Sequence, residues 1–150
     1  METTYDYETF ELSVMACDFA KPTSSGEMKY TFSVNPMPAP RMNHSDRWAG
    51  RDIVQRYFSY RSTITLQARV NGLEVLPDTL SNLIFYMPVP PSWSNKKTAD
   101  NLGQPHTQRP DLDNLIKGFL DAFGEDSHIH SLTASKVWSE IGRIELILTQ

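Results

Sequence analysis

The chain has 150 residues, 39% of them hydrophobic and 21% charged, enough for one domain with its own core and too few for a second folded domain. Its single cysteine, Cys17, excludes an intrachain disulfide and a CxxC zinc or redox pair. The net charge of −4 and pI near 5.5 argue at first against a nucleic-acid partner. The acidity is local, however. Residues 1–18 carry five acids (Glu2, Asp6, Glu8, Glu11, Asp18) and no base, so the other 132 residues hold 13 of the 18 acids and all 14 lysines and arginines. The stretch 41–69 alone has six arginines against Asp46 and Asp52.

Along the chain, residues 1–20 mix acids with Tyr5, Tyr7, Phe10, Leu12 and Val14, and the segment 1–27 is expected to be an acidic arm or an edge strand ahead of a domain spanning 28–150. The alternation of Met28, Tyr30, Phe32 and Val34 predicts a half-buried strand over 28–35. Pro36, Pro38 and Pro40 then end it, because proline cannot donate to a ladder. Residues 53–70 predict one or two helices, broken near 59–62. The apolar run 82–89 predicts a strand stopped by Pro88, Pro90 and Pro91, and the polar stretch 92–110 is expected to be a long loop. The run 83–89 is far short of the ~20 apolar residues that span a bilayer, and the acidic N-terminus lacks the basic and apolar regions of a secretory signal. A soluble, cytoplasmic protein is expected.

The best-defined element is a helix over 114–123, with Asp113 as its N-cap and Gly124 as its stop. At about 100° per residue, Leu115, Ile116, Phe119, Leu120, Ala122 and Phe123 share one arc, and Asp113, Asn114, Lys117, Gly118 and Asp121 the other. Two more strands are expected at 129–138 and 143–149, joined at Gly142 as an antiparallel pair.

The chemistry concentrates in Arg-Pro-Asp-Leu-Asp-Asn-Leu-Ile-Lys, residues 109–117, followed by Asp121 and Glu125-Asp126. In an extended segment Asp111 and Asp113, two apart, point to one side and can converge on one ion. Such hard oxygen donors suit Mg²⁺ or Mn²⁺ together with a phosphate, and Lys117, one turn beyond Asp113, can meet phosphate charge. The same residues also admit a purely structural account, in which Asp113 caps the helix, Asp111 favours its dipole and Lys117 pairs with Asp113 and Asp121. His128 and His130 alternate along a strand, but without nearby Cys or His partners they do not make a zinc site. Trp93 either stacks on bases or anchors packing; Trp48 and Trp138 are expected in the core or at a dimer contact.

The C-terminal half resembles the RusA-type Holliday-junction resolvases, especially their short phage and prophage versions. The resemblance rests on Met-Pro-Val-Pro-Pro-Ser-Trp-Ser at 87–94 with Lys96 and Lys97, on Pro-His-Thr-Gln-Arg-Pro-Asp-Leu-Asp-Asn-Leu-Ile-Lys at 105–117, and on Asp121-Ala122, Glu125-Asp126, Lys136 and the 142–148 strand. Upstream, Pro-Met-Pro-Ala-Pro-Arg-Met-Asn at 36–43 is similar too, so coverage runs over about 28–149. It implies a single compact α/β (α+β) domain with a mixed, largely antiparallel sheet packed against helices. It also implies a homodimer that cuts four-way DNA junctions with Mg²⁺ or Mn²⁺ in recombination and repair, inside a bacterial or phage-infected cell.

Residue by residue, Asp111, Asp113 and Asp126 match the family's metal-binding catalytic aspartates and Lys117 its required lysine. Lys96, Lys97, Arg109, Lys136 and Arg41 join Lys117 as candidate DNA contacts. Two departures stand out. Glu125-Asp126 replaces an Asp-Asp pair, and only 12 residues separate Asp113 from Asp126. A helix over 114–123 is roughly 15 Å long, a distance that two following residues at about 3.5 Å each do not retrace. The third carboxylate is therefore expected from the partner subunit, unless the helix is much shorter. A non-cleaving branched-DNA-binding dimer, or a nuclease preferring flaps or other branched DNA, are the competing functions.

Overall fold

Strand β2 (Glu27–Phe32) follows from the alternation that predicts it, with Phe32 turned into the core. It belongs to a computed structural model that describes residues 20–23, 26–41 and 52–149. Residues 1–19, 24 and 25 of the expected arm or edge strand 1–27, and Trp48, lie outside the described residues. The two-residue strand β1 (Lys21–Pro22) adds to the free edge of β2. Next come helix α1 (Asp52–Val70), strand β3 (Thr79–Pro88), helices α2 (Asn95–Asn101) and α3 (Leu112–Leu120), a 3-10 turn (Asp121–Phe123), and strands β4 (Ser131–Ser139) and β5 (Arg143–Thr149).

The five strands form one mixed sheet in the order β1-β2-β5-β3-β4, so the expected α/β class holds. The expected antiparallel pair of the last two strands does not form. β3 lies between them, pairing in parallel with β4 and antiparallel with β5. The physical reason is burial. β3 carries Leu80, Leu83, Phe85 and Met87 in the core and takes a central place with a partner on each side, whereas β4 buries only Trp138 and sits outermost. Parallel neighbours need a long crossover, and the chain between β3 and β4 supplies one containing α2 and α3. Gly142 is consequently no hairpin turn. It is bare because a Cβ there would stand 2.0 Å from Asn35 Oδ1.

One sheet face carries the core. Phe32, Leu83, Phe85, Ile144 and Leu146 meet Tyr57 and Ile64 of α1 and Leu115 and Phe119 of α3, with Phe32 and Phe119 edge to face at 5.4 Å. Helix α1 is unbroken, contrary to the expected break near 59–62. Its buried stripe is Val54, Tyr57, Tyr60, Ile64, Gln67 and Ala68, so tyrosines and a glutamine carry positions that an aliphatic pattern misses. Phe58 and Leu66 point outward, 47% and 40% exposed.

The expected loop 92–110 contains α2. Ser94 caps it, its Oγ accepting the Lys97 N–H at 3.2 Å. No residue of α2 is buried, so no apolar period betrays the helix in the sequence. The chain beyond α2 lies along β4: Gly103 N–H donates to Trp138 O (2.9 Å), Trp138 N–H to Gln104 O (3.0 Å) and His106 N–H to Lys136 O (3.0 Å). That segment covers the outer edge of the sheet. Among the described residues no helix is long and apolar enough to cross a membrane.

The proline-rich segment 36–40 crosses α3 at Gly118, which is buried although the helical arc assigns it to the charged face. A Cβ at Gly118 would stand 2.7 Å from Met37 O and 3.3 Å from Ala39 N. Gly118→Ala is therefore expected to destabilise the protein by about 1–2 kcal/mol in urea unfolding, despite the ~1 kcal/mol that alanine gains over glycine within a helix. A stabilised variant would show that the segment is not seated there.

Candidate functional site

Helix α3 begins at Leu112, two residues earlier than the sequence reading, and Asp111 rather than Asp113 is its N-cap. Asp111 has extended backbone (φ −68°, ψ 145°), its carbonyl accepts Leu115 N–H at 3.2 Å, and its carboxylate makes no capping hydrogen bond. Asp113 lies within the first turn, so the two acids do not share one extended run. Both are exposed. Neither carboxylate has a hydrogen-bond or ion-pair partner among the described residues. Lys117 follows on the same helix, exposed, with Nζ 3.8 Å from Asp121 Oδ1 and not paired with Asp113. Of the structural account, the Lys117–Asp121 pair and the placing of acids at the positive end of the helix hold, while the Asp113 cap and the Lys117–Asp113 pair do not. A helix start stabilises negative charge, and two uncommitted carboxylates there fit a hard cation such as Mg²⁺, which takes one or two carboxylates and keeps several waters.

The helix start is held by the proline-rich segment and by β4. Ala39 N–H donates to Asn114 O (3.2 Å) from the proline-rich segment. The Arg109–Pro110 peptide bond is cis, and the Lys136 ammonium donates to Gln108 O and to Pro110 O, the latter at 2.6 Å. At the far end, Tyr57 Oη donates to Asp121 Oδ2 (2.6 Å), Arg61 Nη2 to Asp121 O (3.1 Å) and Thr65 Oγ1 to Ala122 O (2.7 Å). Burial, reinforced by the Asp121 carboxylate, pushes the Tyr57 hydroxyl far above its ordinary pKa, so it remains a donor. Nothing in the sequence signals these α1 contacts, which join residues 57–64 positions apart.

Past the turn, Gly124 takes φ +80°. Hydrogen bonds from Ser127 hold the Glu125 carboxyl below its ordinary pKa. Asp126 is half-buried, and its carbonyl accepts Ile129 N–H at 3.0 Å. The backbone stays helical over 112–123, so the helix is not the much shorter one that would fold Asp126 back. Among the described residues no three His, Cys, Asp or Glu side chains gather into a set able to hold a metal ion. The chain thus places Arg109, Asp111, Asp113 and the Lys136 ammonium at the start of α3, with Lys117 in its last turn, and no three-carboxylate set that includes Asp126 forms among the described residues.

Of the other candidates, Lys96 and Lys97 lie on exposed α2, and Arg41 ends the proline-rich segment, exposed. The Lys97 ammonium stands 4.5 Å over the Trp93 ring, whose other neighbour is Trp138 at 4.6 Å, itself 4.2 Å from the His106 ring. Trp93 is therefore a packing anchor, and Trp138 is core. His106 is buried, and that burial, with Lys136 nearby, holds its pKa below 6.5. His128 Nε2 lies 2.7 Å from Leu76 O and, as the carbonyl can only accept, carries the proton there. That nitrogen is not available to zinc.

Fold and site together define a small α/β domain in which helix α3 opens on two uncommitted acids and carries a lysine one turn beyond Asp113, a set suited to divalent cations and phosphate esters. The family model described as Endodeoxyribonuclease RusA matches residues 33–149, and the chain belongs to that family of Holliday-junction endonucleases. The expected resemblance is thereby borne out, beginning at 33 rather than about 28. The chain is also 36% identical over 106 residues to the "Uncharacterized protein YqaN" of Bacillus subtilis (strain 168), covering 63% of this chain and 73% of that protein.

Proposed function

We propose that the protein is a Mg²⁺- or Mn²⁺-dependent homodimer that resolves four-way DNA junctions during recombination and repair, in the cytoplasm of a bacterial or phage-infected cell. The observation that carries this reading is that Asp111 and Asp113 open α3 without a capping bond or ion-pair partner among the described residues. The bound ion supplies a Lewis acid and a water of lowered pKa. Asp111 and Asp113 hold it, and Asp126 of the partner subunit completes the set, because two sites related by a two-fold axis suit paired cuts in a two-fold junction. Lys117 meets the phosphate. Its 3.8 Å pairing with Asp121 is long and 67% exposed on the lysine side, weak enough to yield to an anion. Arg41, Lys96, Lys97 and Arg109 hold the DNA backbone, which makes affinity fall steeply with salt.

The test is cleavage of a synthetic four-way junction beside a flap and a linear duplex, with Mg²⁺ or Mn²⁺. Symmetric cuts in the junction arms, lost with EDTA, are expected. Preferential flap cleavage would reassign the substrate, and tight junction binding with no cut under either metal would make the protein a non-cleaving binder.

A further inference from the structure

The charged group of Lys136 is already engaged by the protein's own backbone. It stands on β4 in register with Phe85 of β3 and is half-buried. Two of its three ammonium protons go to carbonyls, Gln108 O and Pro110 O. Its own carbonyl accepts His106 N–H at 3.0 Å, so one residue ties down the chain at 106, 108 and 110. Pro110 has no N–H with which to anchor this stretch. The peptide unit that Lys136 grips at Pro110 is the one leading into Asp111. β4 is a firm post for such a grip, since it is paired with β3 over most of its length.

We propose that Lys136 is a positioning residue: it sets the backbone from which the Asp111 carboxylate projects toward the ion, and it does not hold DNA phosphate. This inference rests on the reading of Asp111 as an ion ligand. Partners that orient metal ligands typically change affinity 10–100-fold when removed. A phosphate-contacting lysine instead contributes about one unit to the salt slope of DNA binding and nothing to metal affinity.

The experiment measures Mn²⁺ binding to the intact protein by the EPR signal of free Mn²⁺, and four-way junction binding in Ca²⁺ across salt concentrations, for wild type and Lys136→Met. Lys136→Gln, whose amide can serve one carbonyl, is read in the same way if the methionine variant does not fold. The expected result is Mn²⁺ affinity down about tenfold or more with the salt slope unchanged. Unchanged Mn²⁺ affinity, with or without a salt slope reduced by about one, overturns the inference and leaves the nuclease reading standing. A wild type that cuts no branched DNA overturns the nuclease reading, while a Mn²⁺ affinity that still falls on substitution upholds the positioning role. A wild type that binds no Mn²⁺ overturns both.

Discussion

Asp113→Asn is expected to slow junction cleavage at least a thousandfold, about 4 kcal/mol of barrier, while junction binding in Ca²⁺ persists or tightens. The substitution keeps the shape of the side chain and removes one negative charge from a surface that must meet phosphates. Its cost in stability is small. Asp113 is exposed, has no partner among the described residues, and interacts with the helix dipole for about 0.3–1 kcal/mol. Loss of cleavage with retained binding and an unfolding midpoint shifted by only a few degrees assigns the defect to ion binding. A rate within tenfold of wild type would remove Asp113 from the site.

Mixing variants decides where Asp126 acts. If it completes the partner's site, Asp113→Asn and Asp126→Asn homodimers are each inactive, but a heterodimer of the two places both defects in one site and leaves the other intact. Mixing after mild unfolding and refolding then restores nicking of one strand per junction. If Asp126 acts within its own chain, no mixture restores activity. The continuous helical path over 112–123 and the lack of a three-ligand set among the described residues are the grounds for expecting rescue.

How legible all this is in the sequence follows from the range of each interaction. The β2 alternation and the buried face of α3, with Leu115 and Phe119, depend on near neighbours and read directly. So do Asp111 and Asp113, which share one helix start. Strand order does not, because alternation tells which face of a strand is buried and not which strand lies beside it. That is how the short 140–142 link passes for a hairpin while β3 holds the place between β4 and β5. Helix α2 escapes because it buries nothing, leaving its Ser94 cap as the only local sign. The supports of the site, Lys136 on Pro110 and Tyr57 on Asp121, span 26 and 64 positions. No motif reports such pairings; Lys136 reads as a surface cation until its two carbonyl partners are seen.

The largest stability effect outside the apolar core is expected at Glu145, a buried carboxylate in the middle of the sheet. It lies on β5 between Thr31 of β2 and Ile84 of β3, with its side chain 8% exposed. Tyr86 Oη donates to Oε2 at 2.9 Å, and Lys29 Nζ and Arg143 Nε reach Oε1 at 3.1 and 3.3 Å. Arg143 also lies 3.6 Å over the Tyr86 ring. Glu145→Ala strands two cations and a hydroxyl around an uncharged gap, at a cost of about 3 kcal/mol. This is the low end for breaking a buried pair, because Lys29 and Arg143 keep side-chain exposures of 39% and 35%. Asp52→Ala, which removes the 84% exposed partner of Arg56, should cost under about 0.5 kcal/mol.

The pH dependence identifies the cause. Burial alone would raise the Glu145 carboxyl, but the bonds from Tyr86, Lys29 and Arg143 outweigh it and hold the group below 4.5. A carboxyl depressed in the folded state contributes its full stabilisation above its unfolded pKa and loses it as pH falls through the folded value. The gap between wild type and Glu145→Ala in urea unfolding is therefore expected to stay constant from pH 7 to about 5 and to narrow below about 4.5. Glu145→Gln, which still accepts from Tyr86, should fall between the two at neutral pH. A gap under 1 kcal/mol at pH 7, or one that does not narrow by pH 3.5, would show that the network contributes packing and not charge.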